Sequence, residues 1–124
     1  MKSILALILC SLALSAATLS KGSYPTFKNP IPMKAKVVIL GTSWCHFCVA
    51  TEEAVKNLPA SLDTKVSFQA IDIEVHEGAS TEFNVRGTPT ILFYDAKNNL
   101  VTKRMGGMNE VGLLKKLKEM GIEP

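Results

Sequence analysis

The sequence predicts an α/β domain in which a central mixed β-sheet is flanked by helices, in the order β-α-β-α-β-β-α. A short, continuous and β-branched apolar run at 36–40 is typical of a strand buried on both faces of a parallel sheet. Apolar residues at helical spacing follow that run, and two later apolar runs joined by turn residues at 90–105 predict an antiparallel hairpin. The 124 residues suffice for one such core.

The first strand is broken by Gly41-Thr42-Ser43, and a helix is predicted directly after it. Pro59 marks the end of this helix. The helical spacing is carried by Phe47, which begins the apolar face, and by Ala50, Thr51, Ala54, Val55 and Leu58. A Cys-x-x-Cys pair therefore lies where a buried strand passes into an amphipathic helix.

The later elements are predicted from alternation, turn residues and helix caps. They comprise a strand at 66–72, a short polar helix from about Glu77 to Phe83, a strand at 90–94, a turn at 95–99 and a returning strand at 100–105. Asn109 is expected to cap a last helix that ends at Gly121. Its inward residues are expected to be Leu113, Leu114, Leu117 and Met120.

The first residues have the pattern of a secretory signal peptide. Lys2 supplies a positive charge, an apolar stretch runs from Ile4 to Leu14, and Ser15-Ala16-Ala17 offers small residues for cleavage. The C-terminal residues 120–124 are not an endoplasmic-reticulum retention signal, which favours a bacterial periplasm. We expect an exported protein, soluble after cleavage, with a signal peptide at 1–17, an extended lead-in at 18–34 and one domain at 35–124.

The charge pattern does not favour nucleic-acid binding. The formal net charge of the whole chain is +3, and the basic residues are scattered. Lys115, Lys116 and Lys118 are expected on the solvent-facing side of the last helix. No nucleic-acid partner is therefore expected.

Cys45 and Cys48 are the only cysteines expected in the exported chain, because Cys10 lies within the signal peptide. A disulfide between them would close a ring of four residues, which in the chain-entropy model contributes only about 2 kcal/mol of stability. A redox-active pair explains them better than a structural crosslink, and no other cofactor is expected. Cys45 is predicted to be the nucleophile, since a helix N-terminus stabilises a thiolate, and Cys48 the buried resolving thiol. His46 could add a positive charge beside the nucleophile.

A metal-binding module is the alternative from another class. Cys45 and Cys48 could hold copper or zinc together with His46 or His76. A tetrahedral structural site needs four ligands, and the sequence has no second cluster of Cys or His. Covalent haem attachment is not expected, because Val49 follows Cys48 where that motif requires His.

Three segments together resemble the thioredoxin superfamily. The segment 43–48, Ser-Trp-Cys-His-Phe-Cys, resembles its Trp-Cys-x-x-Cys motif at a strand-to-helix turn. The segment 83–91 contains Gly-Thr-Pro-Thr and resembles the family's cis-proline loop, and 105–108, Met-Gly-Gly-Met, resembles its glycine corner. The resemblance implies a thioredoxin-like fold and thiol:disulfide oxidoreductase activity.

The resemblance also implies residue roles. Pro89 would follow a cis peptide bond and lie against the cysteines, and the backbone of Thr88 would pair with an extended substrate segment. Gly106 would let a substrate backbone approach closely. Trp44 would form an apolar wall beside Cys45, and with His46 and Phe47 it would tune the redox pair.

Two departures from the family pattern narrow the expected function. Cytoplasmic thioredoxins carry a buried acid where this chain has Ile39, and Phe68 replaces the lysine that usually accompanies it. Thr88 before the proline and the aromatic Phe47 resemble extracytoplasmic interchange proteins instead. These features narrow the class of protein but not the direction of electron flow. Reduction or isomerisation of disulfides in substrate proteins is favoured over oxidation, a membrane or periplasmic redox partner is expected, and a monomer is the default expectation. The alternatives within this class are a reductant for c-type cytochrome maturation and an oxidant of dithiols.

Overall fold

A four-stranded sheet with helices on both faces forms the domain in the computed structural model, which describes residues 34–124. The predicted signal peptide and nearly all of the lead-in lie outside the described residues. The strands are β1 (Ala35–Gly41), β2 (Val66–Asp72), β3 (Thr90–Tyr94) and β4 (Leu100–Met105). The helices are α1 (His46–Lys56), α2 (Ala79–Glu82) and α3 (Glu110–Glu119), and a 3-10 helix spans Ala60–Thr64.

The sheet confirms the predicted mixed α/β fold. Its strand order is β2-β1-β3-β4, with β1 parallel to β2 and antiparallel to β3, and β3 antiparallel to β4. All seven residues of β1 are buried, as expected for a central strand covered on both faces. The C-terminal end of β1 therefore delivers the chain from the middle of the sheet directly to the Cys-x-x-Cys segment.

Alternating residues of the sheet build two separate cores. On one face, Val37, Ile39, Ile91 and Phe93 pack with Ala54 of α1 and with Leu113 and Leu117 of α3. On the other face, Val38, Leu40, Ile71 and Leu92 pack with Ala79 of α2. Helix α1 is thus held on the same side of the sheet as α3, which sets the space between its first turn and the loop that precedes α3.

The helices differ from the predictions in three places. Phe47 does not begin a buried face of α1: the residue is 66% exposed, and Ala50 is also exposed, because the buried face of the helix is carried by Cys48, Thr51 and Ala54. Helix α2 is shorter than expected. The 3-10 helix was not predicted; it follows Pro59, and Leu62 anchors it in the core. None of the helices within residues 34–124 has the length and apolar character needed to cross a membrane.

Lys36 is a buried cation within the run that predicts β1. The residue is 1% exposed, and its Nζ donates a hydrogen bond of 2.8 Å to Asn98 Oδ1 in the β3–β4 turn. Burial lowers the pKa of this amine, because desolvation disfavours its charged form. Lys36 lies five residues before Gly41, about 16 Å along the strand. Lys36 therefore binds the β3–β4 turn, at the end of β1 opposite to the cysteines.

The turn between β3 and β4 depends on the Asp95 carboxylate. Asp95 Oδ1 accepts hydrogen bonds of 2.9 Å from the backbone N–H groups of both Asn99 and Lys97. Both bonds hold the pKa of Asp95 below its ordinary value of 3.8, and the bond from the Asn99 N–H has the larger effect. Since the folded-state pKa is the lower one, the carboxylate stabilises the fold above about pH 4, and this contribution disappears as the pH falls through the folded-state value.

Asp95→Ala is therefore expected to lower the melting temperature at pH 7, with the difference from the unmodified protein shrinking as the pH falls below about 4. Thermal unfolding followed by circular dichroism across pH 2–8 measures this. Asp95→Asn is the matched control, because it keeps an acceptor but cannot ionise, so its melting temperature should follow pH less steeply. A difference between Asp95→Ala and the unmodified protein that is constant with pH would contradict this role.

Candidate active site

Cys45 and Cys48 form a disulfide at the start of α1. Cys45 is the N-cap residue, with extended backbone angles of φ −77° and ψ 112°, and Cys48 lies within the first turn of the helix. Their Cα atoms are 5.2 Å apart. Cys45 is 8% exposed and Cys48 is 1% exposed, so Cys45 is the less deeply buried residue of the pair.

The backbone of the first helical turn faces the Cys45 sulfur. The N–H of Cys48 donates a hydrogen bond of 3.3 Å to Cys45 Sγ, in the manner of a side-chain helix cap. The same turn begins with hydrogen bonds of 3.1 Å from the N–H groups of Cys48 and Val49 to the Cys45 carbonyl. A helix N-terminus with an amide directed at the sulfur favours negative charge at that atom. The geometry therefore suits Cys45 as the attacking thiolate.

Gly41 lies directly against the second cysteine. A Cβ atom added to Gly41 would lie 2.6 Å from Cys48 Sγ and 3.0 Å from Cys48 Cβ. The backbone of Gly41 is not in the left-handed region, so space and not conformation requires glycine here. The sequence pattern predicted only that Gly41 breaks the strand, and it did not predict the contact with Cys48. The position of a glycine between the strand and the Cys-x-x-Cys motif is the sequence feature that could have indicated this contact.

Three side chains around the pair point into solvent. Trp44 is 71% exposed, and its Nε1–H donates a hydrogen bond of 2.8 Å to Glu74 Oε1 in the loop after β2. The backbone N–H of Glu74 in turn donates to Asp72 Oδ1 at 2.9 Å, which fixes the loop. The rings of His46 and Phe47 meet edge to face, with centroids 5.6 Å apart. Trp44 and Phe47 thus place apolar surface beside the disulfide, and Glu74 is a partner that sequence patterns did not reveal.

The predicted substrate-binding residues converge on one hydrogen-bonded unit. The Thr88–Pro89 peptide bond is cis, and Pro89 is buried. The N–H of Gly106 donates a hydrogen bond of 2.8 Å to the Pro89 carbonyl. Gly106 has a φ of +107°, and a Cβ atom added there would meet no atom within 4 Å. Gly106 therefore presents open space next to the Pro89 segment.

The side chains that replace the acid and lysine of cytoplasmic thioredoxins are part of the core. Ile39 is 2% exposed within the α1–α3 core, and the partly buried Phe68 packs against the same cluster. Among residues 34–124, the one charged residue that is buried is Lys36, which lies far from the cysteines along β1. In the same range, no group of three or more His, Cys, Asp or Glu side chains is arranged to hold a metal ion.

The fold and the site together define a thioredoxin-type domain with a redox-active disulfide at a strand-to-helix junction. A sequence model of the family described as Thioredoxin matches residues 19–119. The chain belongs to the thioredoxin family, as the three sequence segments had indicated.

Individual relatives support this assignment. The chain is 36% identical over 53 residues to the protein disulfide-isomerase A6 homolog of Drosophila melanogaster, a match that covers 43% of this chain but only 12% of that protein. It is 30% identical over 77 residues to thioredoxin-1 of Drosophila yakuba, covering 60% of this chain and 70% of that one. The crystal structure of the germline-specific thioredoxin Deadhead of Drosophila melanogaster superposes with a TM-score of 0.62 at 25% identity, covering 71% and 82% of the two chains. Family membership and the disulfide pair support thiol–disulfide oxidoreductase chemistry.

Trp44 provides a direct test of the site's geometry, because it is the only tryptophan in the chain. Glu74→Ala removes the acceptor of its indole N–H, so faster motion of Trp44 is expected, seen as a lower time-resolved fluorescence anisotropy. Glu74→Gln keeps a neutral acceptor and should change the anisotropy less. Equal anisotropy in Glu74→Ala and the unmodified protein would show that Glu74 does not fix Trp44.

Proposed function

We propose that this protein is an extracytoplasmic thiol:disulfide oxidoreductase that reduces or isomerises disulfides of substrate proteins through Cys45 and Cys48. The single observation that carries the proposal is the disulfide at the start of α1, in which Cys45 is the helix N-cap and the more exposed residue of the pair. The proposed export is supported by the signal-like pattern at 1–17. The likeness of Phe47 and Thr88 to extracytoplasmic interchange proteins supports the class of activity, and the reduction potential is the measurement that decides its direction.

The reaction needs two exchange steps. The Cys45 thiolate attacks one sulfur of a substrate disulfide, forms a mixed disulfide and releases the other substrate sulfur as a thiolate, which takes up a proton. The Cys48 thiolate then attacks Cys45 Sγ, which releases the second substrate thiol and forms the Cys45–Cys48 disulfide. Two electrons pass to the substrate. In isomerisation, a substrate thiolate displaces Cys45 instead and Cys48 is not consumed.

The oxidised pair must be reduced before another cycle of reduction. We propose that a dithiol protein in the membrane or the periplasm supplies these two electrons. The core side chains Ile39 and Phe68 stand where cytoplasmic thioredoxins carry an acid and a lysine, so no buried carboxylate from β1 assists the Cys48 thiol. This difference supports a dedicated partner rather than a general cytoplasmic role.

The exposed apolar surface supports a polypeptide substrate. Trp44 and Phe47 flank the disulfide, and the open space at Gly106 lies next to the Pro89 segment. An extended segment could lie across this region and pair with the backbone of Thr88 as an added strand.

The reduction potential tests the direction of electron flow. The protein is equilibrated with glutathione buffers and the thiol fraction is measured by alkylation and mass spectrometry. A potential near −270 mV is expected for a reductant, whereas a value near −120 mV would identify an oxidant and contradict the proposed direction. For the export proposal, N-terminal sequencing of protein recovered from the periplasm of an expressing bacterium should find the segment 1–17 removed.

Metal binding and cytochrome maturation are the competing outcomes. Stoichiometric copper or zinc in protein purified with reduced thiols, together with no reduction of insulin disulfides, would establish the metal-binding alternative. Capture of an apocytochrome c by the Cys48→Ser variant would narrow the substrate to that maturation pathway.

A further inference from the structure

Thr51 joins the redox helix to the loop that borders the substrate region. This glycine loop (residues 105–108) leads from β4 to α3. Thr51 is 1% exposed, and its hydroxyl donates a hydrogen bond of 2.8 Å to the Phe47 carbonyl, between the two cysteines in sequence. The same oxygen accepts a hydrogen bond of 3.2 Å from the backbone N–H of Met108. The Thr51 hydroxyl therefore accepts a hydrogen bond from the loop backbone, and its own hydrogen bond to the first turn of α1 fixes its orientation.

The glycine loop is fixed at its other end by the cis-proline segment. Gly106 donates its N–H to the Pro89 carbonyl at 2.8 Å, two residues before the Met108 amide. Between these two bonds, a Cβ atom added to Gly107 would lie 3.1 Å from Thr51 Oγ1 and 3.4 Å from the Phe47 carbonyl. The loop therefore packs closely against α1 at Gly107, whereas the space next to Gly106 is unfilled. A continuous set of contacts runs from Phe47 through Thr51 and the glycine loop to Pro89.

We propose that the Thr51 hydroxyl is a positioning group that sets the glycine loop and the Pro89 segment relative to the cysteines for polypeptide disulfides. The inference rests on the proposed function, since it concerns how that site receives its substrate. The hydrogen-bond partners of the Thr51 hydroxyl are the Phe47 carbonyl and the Met108 N–H, and neither is a cysteine sulfur. The thiol–disulfide exchange steps themselves therefore do not require this hydroxyl. A small disulfide needs access to Cys45 only, whereas an extended polypeptide also has to fit the loop. Loss of the hydroxyl should therefore act on substrate binding and not on exchange with small reagents.

The test compares Thr51→Val, which keeps the shape but removes the hydroxyl, with Thr51→Ser, which keeps the hydroxyl but removes a buried methyl. For insulin disulfides, Thr51→Val is expected to raise KM by about fivefold to tenfold with little change in kcat, because the hydrogen bond that holds the Met108 amide of the glycine loop is lost. Its reaction with DTNB and its equilibrium with glutathione should stay within about twofold. Thr51→Ser should keep the KM of the unmodified protein even though its melting temperature falls.

Thr42→Val is the matched control for replacing a buried threonine hydroxyl beside the motif. Thr42 is 7% exposed, and its Oγ1 is buried without a hydrogen-bond partner among the described residues. Its replacement should leave KM for insulin unchanged. Amide hydrogen exchange gives a readout independent of activity: Met108 should be protected in Thr51→Ser and exchange faster in Thr51→Val.

An unchanged KM for Thr51→Val, or an equal loss of activity toward insulin and DTNB, would overturn the proposed role of Thr51. Faster Met108 exchange without any change in KM would likewise show that the contact is only structural. If the unmodified protein reduced no polypeptide disulfide, the proposed function would fail instead, so the two failures are distinguishable.

Discussion

Cys45→Ser is expected to abolish the catalysed reduction of protein disulfides, with a loss of about three orders of magnitude or more relative to the unmodified protein. Cys45 is the more exposed residue of the pair, and its sulfur accepts a hydrogen bond from the Cys48 N–H at the helix N-terminus, so Cys45 is the expected target of an incoming disulfide. A serine hydroxyl at this position cannot exchange with disulfides. Turnover of insulin with dithiothreitol as the electron source measures the effect.

Cys48→Ser is the matched control for this prediction. It should also stop turnover, but a free Cys45 thiol remains, so a single stoichiometric reaction with DTNB is expected in Cys48→Ser. In Cys45→Ser, the buried Cys48 thiol should react much more slowly. Faster reaction of Cys45→Ser than of Cys48→Ser would reverse the roles assigned to the two cysteines.

Gly41→Ala is expected to destabilise the oxidised protein by about 1–3 kcal/mol, the usual cost of forcing an extra methyl group into a packed site. The new Cβ would lie 2.6 Å from Cys48 Sγ at the end of a strand that is buried throughout. Because Gly41 lies outside the left-handed region, backbone strain should contribute little. Urea denaturation under non-reducing conditions gives the free energy of unfolding.

The Cys48→Ala background separates this contact from other effects of Gly41→Ala. Without the sulfur, only the 3.0 Å approach to Cys48 Cβ remains, so the cost of Gly41→Ala should fall by about 1 kcal/mol or more. An equal cost in both backgrounds would show that Gly41 is required for a reason other than its contact with Cys48.

Local patterns were sufficient to predict the strands and the caps. The observed bounds of β2, β3 and β4 agree with the predicted ones, because alternation and turn residues are properties of short segments. Asn109 caps α3 as expected, accepting the Gly112 N–H at 2.8 Å. The helix start at the Cys-x-x-Cys motif was predictable for the same reason, and the thioredoxin family match agrees with this arrangement.

Features that depend on distant parts of the chain were not predictable. Helical periodicity placed Phe47 inward, but only the packed fold shows that the buried face of α1 begins at Cys48 and leaves Phe47 exposed. Thr51 read as one more residue on the apolar face, although its partner Met108 lies 57 residues away. The bond between Trp44 and Glu74 likewise joins residues 30 apart, and neither side chain belongs to a repeating pattern.

Trapping of a mixed disulfide tests the central claim most directly. Cys48→Ser protein is incubated with a peptide disulfide, alkylated and digested, and the adduct is located by mass spectrometry; Cys45→Ser is treated in parallel. The mechanism predicts a stable adduct on Cys45 of the Cys48→Ser protein and a much smaller yield on Cys48 of Cys45→Ser, because Cys45 is the more exposed residue of the pair and caps the helix N-terminus. No adduct on Cys45, or a larger yield on Cys48, would contradict it.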